Sequence, residues 1–152
     1  METSALLALF KEQLENESKG IASTRNLQKR GDLLTWWYFE KLLGLDPGKI
    51  EEIICDGPND LGIDSIWIDD DNVVHFYQFK NPEDLESGFP GGDVDKVLAG
   101  LNLILNRRHE TIANEELRGR VEEIYQTVPT GYRLHLVTSG RGISWDSETK
   151  LV

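Results

Sequence analysis

A chain of 152 residues, 39% apolar and 28% charged, is long enough for one well-buried domain and too rich in apolar residues for a disordered one. It has no apolar run long enough to span a bilayer, and its N-terminus, METSALLALFKEQLENE, lacks the basic region of a signal peptide, so the expected location is cytoplasmic. The net charge of −11 argues against a surface that holds nucleic acid by bulk electrostatics.

Taken in chain order, the first helix is capped by Thr3 or Ser4 and carries Leu6, Leu7, Phe10 and Leu14 at a period near 3.6, with Gly20 beyond its end. A basic cluster, Arg25, Lys29 and Arg30, precedes a second helix over 32–44, with Asp32 at its cap and Gly44 and Pro47 at its stop. Apolar residues cover nearly its whole circumference, which predicts deep burial. KIEEIICDG is ambiguous between helix and strand, and its isoleucines before the turn signal DGPND favour a short buried strand containing Cys55. That cysteine is the only one, so it excludes an internal disulfide or a cysteine zinc cluster and reads as a small apolar residue. GIDSIWI and VVHFYQFK are strands, Val94 to Leu105 and Leu117 to Tyr125 mark two helices, and YRLHLVTSG is a last strand. RGISWDSETKLV is too short to assign. No linker divides the chain, so 1–152 reads as a single domain, and its end at KLV without a cap suggests the N-terminal part of a longer protein.

The two central strands form a hairpin whose register can be tested. A loop of Asp70, Asp71 and a left-handed Asn72 opposes Ile68 to Val74, Ile66 to Phe76 and Asp64 to Gln78, keeping apolar partners together. A slip of one residue would mix polar with apolar along the ladder. In the favoured register Asp64 and Gln78 lie side by side at the open end, with Lys80 two residues further on the same face. A carboxylate, an amide oxygen and a nearby backbone carbonyl suit a hard cation such as Mg²⁺, and a lysine beside them can orient water or offset charge on a phosphate. Taken singly, each of the three polar residues is an ordinary solvated strand end.

GIDSIWI followed by VVHFYQFK resembles the D-x(n)-(D/E/Q)-x-K signature of the PD-(D/E)xK nuclease superfamily, in the Mrr-like version with glutamine as second ligand. The longer phrase DGPNDLGIDSIWI with YQFK resembles the N-terminal domain of abortive-infection phage-resistance (AIPR) proteins. The resemblance implies an α/β fold with a restriction-endonuclease-like αβββαβ core, a mixed sheet flanked by helices. Here the core would be extended by an N-terminal helix and a helix inserted near 115. It makes Asp64 the motif acid, Gln78 the substituted ligand and Lys80 the catalytic lysine. Mg²⁺ or Mn²⁺ would be held by Asp64, Gln78, the backbone carbonyl of Phe79 and an acid from the first core helix. Glu40 is the candidate for that acid, since no basic residue lies three or four positions away, although it equally suits the helix's exposed stripe. Asp32 is the alternative acid, better suited to capping, and Asp60 either assists a second cation or stabilises its turn. The expected partner is DNA, with a homodimer admitted, and the setting is phage defence or restriction.

The remaining polar residues lack comparable patterns. His75 falls on the hairpin face opposite Asp64, and His109 and His135 have no metal-ligand spacing. Ser139 has no nucleophile elbow, and the glycines of TSGRG form no phosphate loop. The aromatic run at 36–39 reads as core, and the runs DDD and NEE as solvated turns or faces. Two expectations from different classes result: a metal-dependent nucleic-acid phosphodiesterase, or a nuclease-fold module without catalysis that binds or regulates.

Overall fold

The computed structural model describes residues 9–10, 12–17, 19–20, 30–55, 61–81, 88–89, 91–139 and 142–143. The chain gathers into two compact units. One comprises Ile53–Gln78, Pro90–Leu136 and Trp145–Val152, and the other Met1–Glu52, Phe79–Phe89 and Val137–Ser144.

The first of these units is organised by the hairpin. Strand β1 (Ser65–Ile68) runs antiparallel to β2 (Val73–Lys80) with Ile66 opposite Phe76 and Ile68 opposite Val74, the register that apolar matching dictates. The loop follows its turn chemistry: Asn72 takes φ 61°, and the Asp69 carboxylate accepts the backbone N–H groups of Asp71 at 2.9 Å and Val73 at 3.0 Å. Thr130 fastens the loop from outside, its hydroxyl donating to the Asp71 carbonyl at 2.7 Å. Ile66, Val74 and Phe76 turn one face toward a core closed by Val97 and Ile104 of helix α3 (Gly91–Leu105) and by Leu117, Val121 and Ile124 of helix α4 (Glu115–Thr127). Their spacing of three, four and seven is the stripe expected of helices packed on a sheet. Asn114 caps α4 by accepting the Leu117 N–H at 3.0 Å.

Strand β4 (Gly131–Thr138) completes a three-stranded sheet ordered β1-β2-β4. It lies parallel to β2, as Thr130 N–H bonds the Asn72 carbonyl at one end and Ser139 N–H the Lys80 carbonyl at the other. The fold is thus mixed α/β with a mixed sheet. No helix among the described residues is long and apolar enough to cross a membrane.

The other unit holds helical backbone in the described residues between 9 and 20, helix α1 (Arg30–Trp37) and a π-helical turn over Tyr38–Leu42. It also holds a short parallel pair, β3 (Gly88–Phe89) with β5 (Gly142–Ile143), the latter within the segment that sequence alone leaves unassigned. Its aromatic core joins Phe39 and Tyr38 to Phe79, each pair of rings 5.5 Å apart, and Phe10 to Trp37 at 5.7 Å. The Trp37 indole N–H donates to the Glu17 carboxylate.

Four expectations change here. Gly20 still has helical backbone. Helix α1 is already under way at Asp32, which therefore does not cap it; the side chain of Asp32 lies outside the described residues. The second helix is not buried all round, as Leu42 and Leu43 are exposed where the π turn ends, before Gly44 leaves it at φ 67°. Lastly, the strand expected near 50 is helix α2 (Pro47–Ile53), with only Ile54 making a single bridge to Ser65. Pro47 at the first helical position and the Asp46 carboxylate, which accepts Lys49 N–H at 3.0 Å, nucleate it, and Ile50 and Ile53 then fall on one buried face. Between the π-helical turn and α3 the order is therefore helix, strand, strand and a two-residue strand, not three full strands.

Candidate functional site

The approach to Asp64 is built from two successive left-handed residues, Leu61 at φ 59° and Gly62 at φ 75°. For leucine this conformation costs about 1–2 kcal/mol, and such strain persists only where packing enforces it. Packing from α3 does so. A Cβ on Gly100 would lie 2.8 Å from Leu61 Cβ and 3.1 Å from its carbonyl oxygen, so only glycine lets the helix approach the turn this closely. One helical turn earlier, Lys96 lies against Gly62. A Cβ on Gly62 would come within 3.1 Å of Gln78 Nε2 and 3.5 Å of Lys96 Cγ.

Asp64 is half-buried at the exit of this turn, its carbonyl accepting Cys55 N–H and its own N–H donating to the Tyr77 carbonyl, both at 2.8 Å. Ser65 is the residue paired with Tyr77 in the ladder, so two consecutive residues meet one, as in a bulge. The expected pairing of Asp64 directly opposite Gln78 is therefore not the ladder's geometry: the one-to-one register ends at Ser65, because the left-handed turn brings Asp64 in from the side.

Gln78 is 3% exposed, and its Oε1 is buried with no hydrogen-bond partner among the described residues. Leaving an amide oxygen unpaired in this way costs about 1–3 kcal/mol. An acceptor oxygen of this kind, near a carboxylate-bearing turn, fits the donor chemistry of a hard divalent cation. Among the described residues no three His, Cys, Asp or Glu side chains gather to hold a metal ion.

The other expected residues belong to the second unit. Phe79 is buried between Tyr38 and Phe39, which fixes the backbone of β2 at its carbonyl. Lys80 follows, half-buried, its carbonyl bonded to Ser139 N–H at 3.2 Å; strand alternation sends it to the same side of β2 as Gln78. Glu40 is half-buried in the π-helical turn, a feature that widens a helix locally and recurs at functional positions. Asp60 lies outside the described residues.

Sequence reasoning missed a chain of titratable groups on the opposite sheet face. His75, 8% exposed, bonds the Asp69 carboxylate through Nε2 and His135 Nε2 through Nδ1, both at 2.8 Å, and Tyr77 stacks on His135 at 4.4 Å. With Asp69 accepting at Nε2, neutral His75 offers its Nδ1 lone pair to a donor N–H of His135. The signal available in the sequence was parity, since both histidines alternate away from the core residues of their strands. Burial, then the neighbouring His75 and Arg133, hold the His135 pKa below its ordinary 6.5. The hydrogen bond from His75, then the Val73 N–H, lowers that of Asp69.

A folded state that binds protons less readily than the unfolded one loses stability as pH falls, first below about 6.5 for His135 and then through the carboxylate range for Asp69. His135→Gln keeps a donor for His75 and cannot titrate. Urea unfolding at pH 7.5 and 5.5 is expected to show a smaller acid loss for this variant than for wild type; equal losses would place the effect elsewhere.

No protein-family model, no curated protein and no solved structure matches the chain.

Proposed function

We propose that the chain is a metal-dependent nucleic-acid phosphodiesterase with a restriction-endonuclease-like core, acting on DNA in phage defence or restriction. The observation that carries the reading is Gln78 Oε1, buried and without a partner among the described residues, beside the strained turn that delivers Asp64. Asp64 and Gln78 are the residues that would hold Mg²⁺ or Mn²⁺, which would supply activation of water and charge neutralisation at the phosphate, and the Phe79 carbonyl and Glu40 are the further ligands that the resemblance implies. In the hydrolysis a water oxygen bonds phosphorus, the bond to the leaving sugar oxygen breaks, the water's proton passes to a base and the leaving oxygen is protonated. Lys80 contributes a compact cation for the charge that accumulates on the phosphoryl oxygens.

A second reading, a module of this fold that binds or regulates without cleaving, draws on the net charge of −11. Incubation of plasmid and single-stranded DNA, and of RNA, with Mg²⁺ or Mn²⁺ separates the two. Cleavage abolished by chelation supports the enzyme, and binding to a partner with no cleavage by the longest native chain supports the module.

Metal binding has its own expected result. Millimolar Mn²⁺ should raise the melting temperature of wild type, since a ligand held only by the folded state stabilises it by mass action, and Asp64→Asn should lose most of that rise while folding normally without metal. Equal, unchanged melting temperatures in both proteins would remove Asp64 as a ligand.

A further inference from the structure

We propose that Asp69, His75 and His135 form a pH-sensitive latch between β2 and β4, a directed hydrogen-bonded chain that takes up one proton with its bonds intact and is broken by a second. The latch lies on the sheet face opposite Gln78 and stands independently of the phosphodiesterase reading.

Its basis is a count of protons along the observed contacts. An ionised carboxylate has no proton to give, so the 2.8 Å bond between Asp69 Oδ2 and His75 Nε2 places the His75 proton on Nε2. Neutral His75 then presents a lone pair at Nδ1, and its 2.8 Å contact with His135 Nε2 is a hydrogen bond only if His135 carries its own proton there. The lone pair left over is that of His135 Nδ1, on a half-buried ring with no partner at this atom among the described residues. A first proton taken up at His135 Nδ1 keeps both bonds. It stays on His135, or the Nε2 proton of His135 crosses to His75 and leaves an imidazolium against the Asp69 carboxylate. With two protons every ring nitrogen carries a hydrogen, and two N–H groups then face each other across 2.8 Å, so that contact must open. Among the described residues, the groups facing the rings are Asp69, Trp67 and Tyr77 toward His75, and Tyr77 and Arg133 toward His135. Arg133 opposes a second cation, and the carboxylate of Asp69 is already shared with the backbone N–H groups of Asp71 and Val73.

The test is long-range ¹H–¹⁵N NMR of the three histidine rings from pH 7.5 to 4.5, with urea unfolding of wild type, His135→Gln and the control His109→Gln at pH 7.5 and 5.5. At pH 7.5 both His75 and His135 are expected as Nε2–H tautomers. On acidification the pair should take up one proton while the ring N–H between them stays protected from solvent, and a second only as that protection is lost. An unfolded chain protonates both histidines below about 6.5, so the wild-type folding constant should fall about tenfold per pH unit while the folded pair holds one proton. The amide of His135→Gln donates to neutral His75 or, turned over, accepts from charged His75, so most of that dependence should vanish in this variant and persist in His109→Gln. An Nδ1–H tautomer of His135 at pH 7.5 would overturn the proposal. Two imidazolium rings with the bond between them retained, or an equal pH dependence in wild type and His135→Gln, would do the same. If His135→Gln does not fold, the ring signals of wild type decide alone.

Discussion

Lys80→Ala is expected to lower phosphodiester cleavage by orders of magnitude while leaving Mn²⁺ binding and folding close to wild type. The backbone of the residue is well fixed. It ends β2, its own carbonyl is bonded to Ser139 N–H, and the preceding Phe79 is held between two aromatic rings. In the proposed phosphodiesterase, a cation carried on a backbone held in this way would contribute mainly in the transition state, as negative charge grows on a phosphoryl group. Loss in kcat with little change in KM is the signature of such an interaction. Lys80→Arg should recover little, because a planar guanidinium cannot occupy the position of a compact ammonium. Measured rates for the three proteins, with Mn²⁺ binding followed by thermal shift, check the expectation. Cleavage by Lys80→Ala at the wild-type rate would mean that the chemistry lies elsewhere.

The hairpin was legible because its information is local. Asp69 to Asn72 carry their own turn chemistry, and the apolar matching of Ile66 with Phe76 and Ile68 with Val74 admits one register. The same rule misleads at Asp64, because alternation assumes an unbroken ladder, whereas a left-handed Leu61 stands where sequence offers no reason to expect one. Helix α2 was misread for the opposite reason. Its isoleucines favour a strand, yet the cap at Asp46 and the proline after it are stronger nucleating signals than β-branching is a deterrent. The Asp69, His75, His135 chain was out of reach because its two histidines are sixty positions apart and only the parallel placement of β4 brings them together. The crossing of α3 over the turn at Leu61 was hidden in the same way, since Gly100 and Leu61 meet only in the folded chain.

That crossing gives the last expected result, a reversal of the usual effect of replacing a helical glycine. Alanine is intrinsically better than glycine in a helix interior by about 0.8–1 kcal/mol. In α4, Gly119 has nothing within 4 Å of the position an added methyl would take, so Gly119→Ala should gain close to that amount. Gly100→Ala should lose stability despite the same gain, because its methyl would sit 2.8 Å from Leu61 Cβ, and forced overpacking costs about 1–3 kcal/mol. The clash can be traced to its source by Leu61→Gly, which removes the colliding Cβ and relieves about 1–2 kcal/mol of left-handed strain while giving up the leucine's packing on the core. In that background Gly100→Ala meets only the backbone carbonyl at 3.1 Å and should be nearly neutral. Urea unfolding of the two single variants and the double variant should therefore reveal a favourable coupling of about 1 kcal/mol or more. Simple additivity would show that α3 does not enforce the turn, and the strain at Leu61 would then need another cause.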